Sequence, residues 1–442
     1  MKKYFISGAM LAGLMSLAAC SNDEGVVADN NGAEQQFTIT LASSGDRATR
    51  AAADRTLESE AAGQSIEKVT LVVRSQDDGA DKNKVVYIHT LDNWNDTATD
   101  YDTNGHGKKL TFTIPKADKL GAGSYVVTAV GYNEGNYNLK LPAKGDVVDK
   151  NITAITPADA EAKEVFAGEQ EFTVKDGKID GTDGSKAIQS VDVTLHRQVA
   201  GAYGYFTSIP AKIGNTDVAS IRMVSRSKNT VLTFGSFNRS FTTTDANVMY
   251  MVNGSVPAGK TAKFLNGDEA NVLFSAKITD WFPGGDKNND GVYDKKDTNW
   301  TKHYSGSYLK GSVFASNFIV PFSATEGKST LELQLLDATG NVLYAWPVKL
   351  DASNDQIGKT GETASADLFG TATAMGFAET ADVFSLFRNH IYSIGIHKQG
   401  TTNPDPETPV PGDQPTDLSK IQNVVIRVND NWEALHHMSI DE

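Results

Sequence analysis

Cysteine is almost missing from this chain: Cys20 is the single thiol in 442 residues. No intramolecular disulfide can form, and no thiolate metal centre can be built. Stability rests on packing and hydrogen bonds. Positive charge is short as well, with 41 Lys and Arg against 55 Asp and Glu and a net charge of −14. A surface of that sign repels phosphate backbones, so nucleic acid is excluded as the expected partner. Beyond residue 20 no apolar run approaches the ~20 residues that cross a bilayer as a helix. Long runs of helical period are lacking, and Ala158–Phe166 is the best short helix candidate. Catalytic signatures are lacking too: there is no His-Glu-x-x-His, no Gly-x-Ser-x-Gly, and the eight histidines are scattered, His436-His437 falling in a polar tail. Gly254–Thr261 spells a phosphate-binding string, but a P-loop needs a helix after its glycines. Asn266-Gly267-Asp268 interrupts at once and Val272–Phe274 reads as strand, so a hairpin loop is expected there and the chain is expected not to be an enzyme.

What is present begins at the N-terminus. Lys2 and Lys3 precede an apolar run from Tyr4 to Met15, then Leu17-Ala18-Ala19-Cys20. A basic start, a short greasy stretch, small residues and a cysteine form the layout of a bacterial lipoprotein signal, with Cys20 as the lipidated residue. The polar stretch 21–35 reads as a tether. Gln36–Leu41 then alternates, with Phe37, Ile39 and Leu41 on one face, which predicts a strand. Ser43–Arg55 is small, polar and basic, the composition of an exposed loop that proteases cut. Arg50-Ala51 is the preferred bond; Arg47-Ala48 and Arg55-Thr56 remain open.

With 39% hydrophobic residues the chain can bury a real core. From Ile66 to Val348 it is a series of short strand candidates: 69–73, 85–88, 110–114, 125–130, 189–199, 248–252, 272–276, 331–335 and 342–346. Gly, Asn and Asp clusters separate them. Such a pattern predicts an all-β protein of sandwich type. The expected division is a signal at 1–20, a removable segment at 21–50, one sandwich at 51–205, a second at 206–402 and a tail at 403–442. Ala200–Gly204 reads as the crossover between the sandwiches. Trp94 and Trp432 are expected either as exposed contacts or, more commonly, as core.

Two further stretches carry chemistry. Asp286-Lys287-Asn288-Asn289-Asp290-Gly291-Val292-Tyr293-Asp294-Lys295-Lys296-Asp297 has the spacing of a 12-residue calcium loop. Asp286, Asn288, Asp290, Asp294 and Asp297 supply side-chain oxygens, Val292 a carbonyl, and Gly291 the sharp turn. Asp297 is shorter than the usual glutamate, and the flanks are not helical. The expectation is a structural Ca2+; the alternative is a polar turn without an ion. Near the C-terminus, five prolines fall within Asn403–Pro415 and a strand pattern follows, with Ile421, Val424, Ile426 and Val428 as its apolar positions. A stiff spacer before a lone strand leaves two readings. The strand folds back on its own domain, or it completes the sheet of another molecule.

The lipid signal at Cys20, the Arg47–Arg55 loop, the strand Val191–Ala200 and the run Arg388-Asn389-His390-Ile391-Tyr392-Ser393-Ile394-Gly395-Ile396 together resemble the fimbrillin family of Bacteroidales-type bacteria. Val424–Val428 with Trp432 resembles the shaft subunits of the minor, or short, fimbrium. The resemblance implies two transthyretin-like β-sandwiches and export as a lipoprotein to the outer membrane. It also implies a cut after an arginine by a surface arginine-specific protease, and polymerisation into an adhesive surface fimbria. The implied partners are other copies of the chain, anchor and tip subunits, the protease, and host or bacterial surface receptors. The competing expectations are a surface-anchored glycan-binding lipoprotein and an exported enzyme.

Overall fold

A computed structural model describes residues 35–41, 66–100, 108–148, 153–157, 162–180, 190–226, 232–234, 271–304, 306–322, 331–350, 384, 386, 388, 391–397, 413–419 and 424–429. Among them the regular structure is nearly all strand, and no helix is long and apolar enough to cross a membrane.

The first half contributes β1 (Gln36–Leu41), β2 (Lys68–Ser75), β3 (Val85–Leu91), β4 (Thr99–Asp100), β5 (Lys108–Thr113), β6 (Gly123–Tyr132), β7 (Tyr137–Lys140), β8 (Thr153–Pro157), β9 (Phe166–Lys175), β10 (Lys178–Asp180) and β11 (Ser190–Arg197). Their main path runs β3-β2-β6-β9-β11-β1-β5-β4. The path folds back on itself at the β9–β11 seam, so that Val69, Leu71, Val127, Phe172, Phe37, Ile39, Val191 and Val193 share one buried core. Alternation explains the choice of residues: each strand sends every second side chain inward. At the seam only His196↔Ala167 and Arg197↔Phe166 pair. Gly168 makes the close approach possible, because a Cβ there would lie 1.9 Å from the Thr194 carbonyl oxygen.

The second half contributes β12 (Ala200–Thr207), β13 (Ile209–Pro210), β14 (Lys212–Ile213), β15 (Thr216–Asp217), β16 (Ser220–Ser225), β17 (Leu232–Phe234), β18 (Asn271–Lys277), β19 (Val292–Tyr293), β20 (Ser312–Ile319), β21 (Leu331–Leu336), β22 (Val342–Leu350), β23 (Ile391–Ile394), β24 (Thr416–Asp417) and β25 (Val424–Asn429). The main path is β18-β16-β21-β22-β25-β23-β12-β20. Ile221, Met223, Leu333, Leu335, Trp346, Phe206, Phe314 and Tyr392 fill its core.

The sheet changes at Gln198–Val199, ahead of the expected boundary at 205/206. Ala200–Gly204 is the start of β12 and pairs with both β20 and β23. Its small residues do not mark a crossover; they let β12 lie buried between two neighbours. The helix expected at Ala158–Phe166 is also corrected. Residues 158–161 lie outside the described residues; over the rest no helix forms, since Ala162 bridges Phe318 and Phe166 opens β9, where tertiary pairing outweighs a run of helix-favouring residues.

The halves are joined through a third core made of Val130, Tyr137, Ala167 and Val199 with Leu232, Phe234, Phe318 and Ile391. β17, from the second half, pairs with β8 from the first. The resemblance-bearing residues Arg197 and Arg388 meet here. The fully buried Arg197 donates from Nε to Glu164 Oε1 at 3.0 Å and stacks over Phe166 at 5.1 Å. Arg388 Nη1 donates to the Arg197 carbonyl at 2.9 Å. These residues brace the junction between the two sandwiches.

Candidate assembly site

β1 lies in the interior of the first sheet. It runs parallel to β11 through six register pairs, Gln36↔Ser190 to Leu41↔Leu195. It runs antiparallel to β5 through six more, Gln36↔Thr113 to Leu41↔Lys108. Phe37 and Ile39 are fully buried, and Phe37 meets Phe172 edge to face at 5.6 Å. Thr38 Oγ1 bridges Thr111 Oγ1 at 3.1 Å and Ser190 Oγ at 2.6 Å. Just ahead of the strand, buried Gln35 closes the end of the slot. Its Nε2 donates to the Leu120 carbonyl at 2.9 Å, its Oε1 accepts from Leu120 N at 2.8 Å, and its own carbonyl accepts from Ile114 N at 2.9 Å. The alternation of Phe37 and Ile39 was legible in the sequence; nothing in the sequence marked Gln35 as a clamp.

Taking β1 away would strip Phe37 and Ile39 from the core, about 1.5–3 kcal/mol of burial each. It would also leave the facing backbone groups of β11 and β5 unpaired, and unpaired edges recruit strands. The arginines Arg47, Arg50 and Arg55, the expected cut before Ala51, and Cys20 lie outside the described residues, as does the 254–261 string.

β25 lies inside its own second sheet. Val348↔Val424 to Leu350↔Ile426 pair in parallel with β22, and Ile391↔Asn429 to Ser393↔Arg427 pair antiparallel with β23. Within one chain, then, the C-terminal strand folds back on its own domain, the first of the two readings open from the sequence. Ile421 and Trp432 lie outside the described residues; Trp94 is fully buried core.

Of the proline-rich run only the end, from Asp413, lies within the described residues, and it is docked on the second domain. Ile396 and Gln414 exchange both backbone hydrogen bonds, at 2.8 and 2.7 Å. Asp413 Oδ2 accepts from Tyr205 Oη at 2.8 Å, and Tyr205 Oη in turn accepts from Leu309 N at 2.9 Å. Burial and the Asp413 carboxylate push the Tyr205 hydroxyl well above its ordinary pKa. β24 pairs with β12, Leu418 N donates to the Thr207 carbonyl at 3.0 Å, and Leu418 is buried. Half-buried His397 stacks on Tyr308 at 4.8 Å and bonds the Ser307 carbonyl at 2.9 Å.

The 286–297 loop is closed by its own bonds. Asp286 accepts from Asn289 N and Gly291 N, Asn288 Oδ1 from Asp290 N, and Asp290 Oδ1 from Val292 N. Asp294 Oδ1 accepts from Lys296 N. Fully buried Asp297 accepts from Lys287 N at 2.8 Å and Asp294 N at 3.1 Å. Lys296 Nζ sits 2.8 Å from Asp290 Oδ2 and 3.5 Å from Asp294 Oδ2, which holds the Asp290 pKa below its ordinary value. Among the described residues no three acidic, His or Cys side chains converge as a metal site. In this arrangement the exposed Lys296 ammonium sits beside two of the expected ligands, Asp290 and Asp294.

No family model matches the chain, and no curated protein matches it in sequence. Among solved structures it is similar to the fimbrial anchor protein Mfa2 from Porphyromonas gingivalis, with 10% identity over 82% of this chain and 90% of that one and a TM-score of 0.33. It is similar to the tip fimbrial protein Mfa3 from Porphyromonas gingivalis, with 10% identity, 81% and 94% coverage and a TM-score of 0.31. A fimbrial assembly protein from Parabacteroides distasonis gives 12% identity, 82% and 92% coverage and a TM-score of 0.32.

Proposed function

We propose that this chain is a non-enzymatic structural subunit of an adhesive cell-surface fimbria, built of two transthyretin-like sandwiches. It is exported as a lipoprotein acylated on Cys20, cut after Arg50, and polymerised when the C-terminal strand of one copy fills the place that residues 36–41 vacate in the next.

One observation carries the reading. Seven strands of the first domain, β1, β2, β3, β5, β6, β9 and β11, correspond in chain order, neighbours and sense to β12, β16, β18, β20, β21, β22 and β23 of the second. β25 has no counterpart. Removed from the second sheet, it leaves β22 beside β23 with the antiparallel sense that β9 has to β11. Without its terminal strand the second domain therefore keeps the shared seven-strand pattern, whereas the first loses one of the seven without β1. β1 also lies ahead of the arginine loop, so one cut detaches it. The apolar spacing of Val424, Ile426 and Val428 reproduces that of Phe37, Ile39 and Leu41, the property that fixes which face of an inserted strand is buried. A head-to-tail joint of this kind does not close, and it propagates as a filament.

The experiment is N-terminal sequencing and native electrophoresis of surface-extracted protein. A chain beginning at Ala51 in high-mass ladders, abolished by deleting residues 420–442, supports the reading. A monomer that keeps acylated Cys20 overturns it in favour of an anchored glycan-binding protein. Anchor and tip subunits, the arginine-specific protease and surface receptors are the partners this function requires. Calcium is proposed only for a second state of the 286–297 loop, in which Lys296 withdraws from Asp290 and Asp294.

A further inference from the structure

We infer that the tail's free arm begins at Ser419, and that the proline-rich stretch adds nothing to its reach. This rests on the fimbrial reading and specifies the joint between subunits.

The sequence suggests a long arm: from His397 to Val424 is 27 residues, about 90 Å if fully extended. The structure cancels most of it. Ile396 and Gln414 form a hydrogen-bonded antiparallel pair, so the two ends of this interval lie side by side on the second domain. The returning segment is then fixed by independent contacts. Asp413 takes the buried Tyr205 hydroxyl, Thr416–Asp417 pair with Phe206–Thr207, and Leu418 is buried with its amide on the Thr207 carbonyl. Ser419 caps the turn by donating from N and Oγ to Asp417 Oδ1 at 3.0 and 2.7 Å. The cradle is shaped for this segment. Gly395 has φ +78°, and a Cβ there would lie 2.6 Å from the Tyr205 carbonyl, 3.1 Å from the Gln414 carbonyl and 3.3 Å from Thr416 N.

Each of these contacts is made to the tail's own domain, and none involves β25. β25 can therefore leave its sheet while 413–419 stay in place. From Ser419 to Val424 is five residues, at most about 17 Å. The neighbouring subunit's slot must open within that distance of Ser419, so successive subunits abut and are not strung on a leash.

Two engineered disulfides test this in the full chain carrying Cys20→Ser, after arginine-specific cleavage. The first joins Ile396→Cys to Gln414→Cys, a hydrogen-bonded antiparallel pair of suitable Cα spacing. The second joins Ser393→Cys to Arg427→Cys, which ties β25 to β23. The inference expects the oxidised 396–414 protein to form filaments with the yield of its reduced form. A Gly/Ser insert of about ten residues placed between 403 and 411 should leave the filament repeat unchanged, whereas the same insert between 419 and 424 should alter it. Filaments from the reduced but not the oxidised 396–414 protein overturn the anchor and leave the fimbrial reading standing. Filaments from the oxidised 393–427 protein overturn the fimbrial reading itself, because β25 would then have no need to leave.

Discussion

The two sandwiches lay down the same seven strands in the same order, yet their termini treat them oppositely. The first domain's opening strand, β1, is central, doubly paired and followed in sequence by an arginine-rich segment. The strand that corresponds to it in the second domain, β12, is held inside the chain by the buried residues Gln198 and Val199. The second domain instead carries β25 as an eighth, surplus strand. At the matching seam of the first domain, β9 and β11 meet directly over Gly168. The contrast teaches where a strand can be lost and where one can be lent. Under the proposed assembly, loss harms the domain whose core the strand crosses, and lending falls to the domain whose remaining strands already form the shared pattern.

The largest expected effect comes from removing the two terminal strands in turn. Releasing residues 36–41 should depress the first domain's melting transition steeply or abolish it in an isolated subunit. Deleting 420–442 should leave both transitions close to their original positions in scanning calorimetry. Equal losses would erase the distinction between the domains. Next in size is Phe37→Ala, which should destabilise the uncut precursor by about 3–5 kcal/mol in denaturant titration. The same substitution should leave cleaved filaments unaffected, since Phe37 has departed. Gly168→Ala should follow: its methyl would be driven into the Thr194 carbonyl, and repacking of that order costs about 1–3 kcal/mol. If the melting curve does not move, the seam is looser than its geometry indicates.

A smaller effect concerns the calcium-type loop. A cation at ten times its dissociation constant adds about 1.4 kcal/mol of stability. Melting temperature should rise more with millimolar calcium in Lys296→Ala than in the native chain, because the ammonium no longer occupies Asp290 and Asp294. No rise in either removes the cation from the account. The smallest effect is on pH. Burial lowers the pKa of His397, while the Ser307 carbonyl and Asp413 oppose the shift; Tyr205 and Tyr308 pack against the ring. The unfolded chain thus takes up the proton first as pH falls. The stabilisation is complete above the ordinary imidazole pKa of about 6.5 and is lost below it. The protection factor of the Leu418 amide should fall between pH 7 and pH 5, and it should be kept at both values in His397→Gln.

Much of the fold was legible. The apolar, β-branched runs Val69–Val73 and Tyr125–Val130 and the alternating Leu331–Leu335 place β2, β6 and β21 where the structure has them. β9 and β20 were not legible. Phe166–Lys175 carries Glu169, Gln170 and Glu171 at its centre, and Glu169 is accommodated by the buried Arg74 and by Thr128. Ser312–Ile319 is buried along almost its whole length and so shows no two-residue period. In the candidate site, Phe37 and Ile39 announced themselves, but Gln35, Ser190 and the Tyr205–Asp413 contact join residues far apart in the chain. No local pattern encodes such pairs.

The sequence by itself determined that the chain is all β, that a lone cysteine follows a short apolar run and an arginine-rich segment stands near its start, and that an apolar strand stands near its end. Each of these is a matter of local composition or of side-chain period. That β1 lies between β11 and β5 and β25 between β22 and β23, that Gln414 pairs with Ile396, and that Arg197 and Arg388 meet at a junction were decided only in three dimensions. They depend on which backbone edges meet, and hydrogen-bond pairing between distant segments leaves no trace in the order of residues.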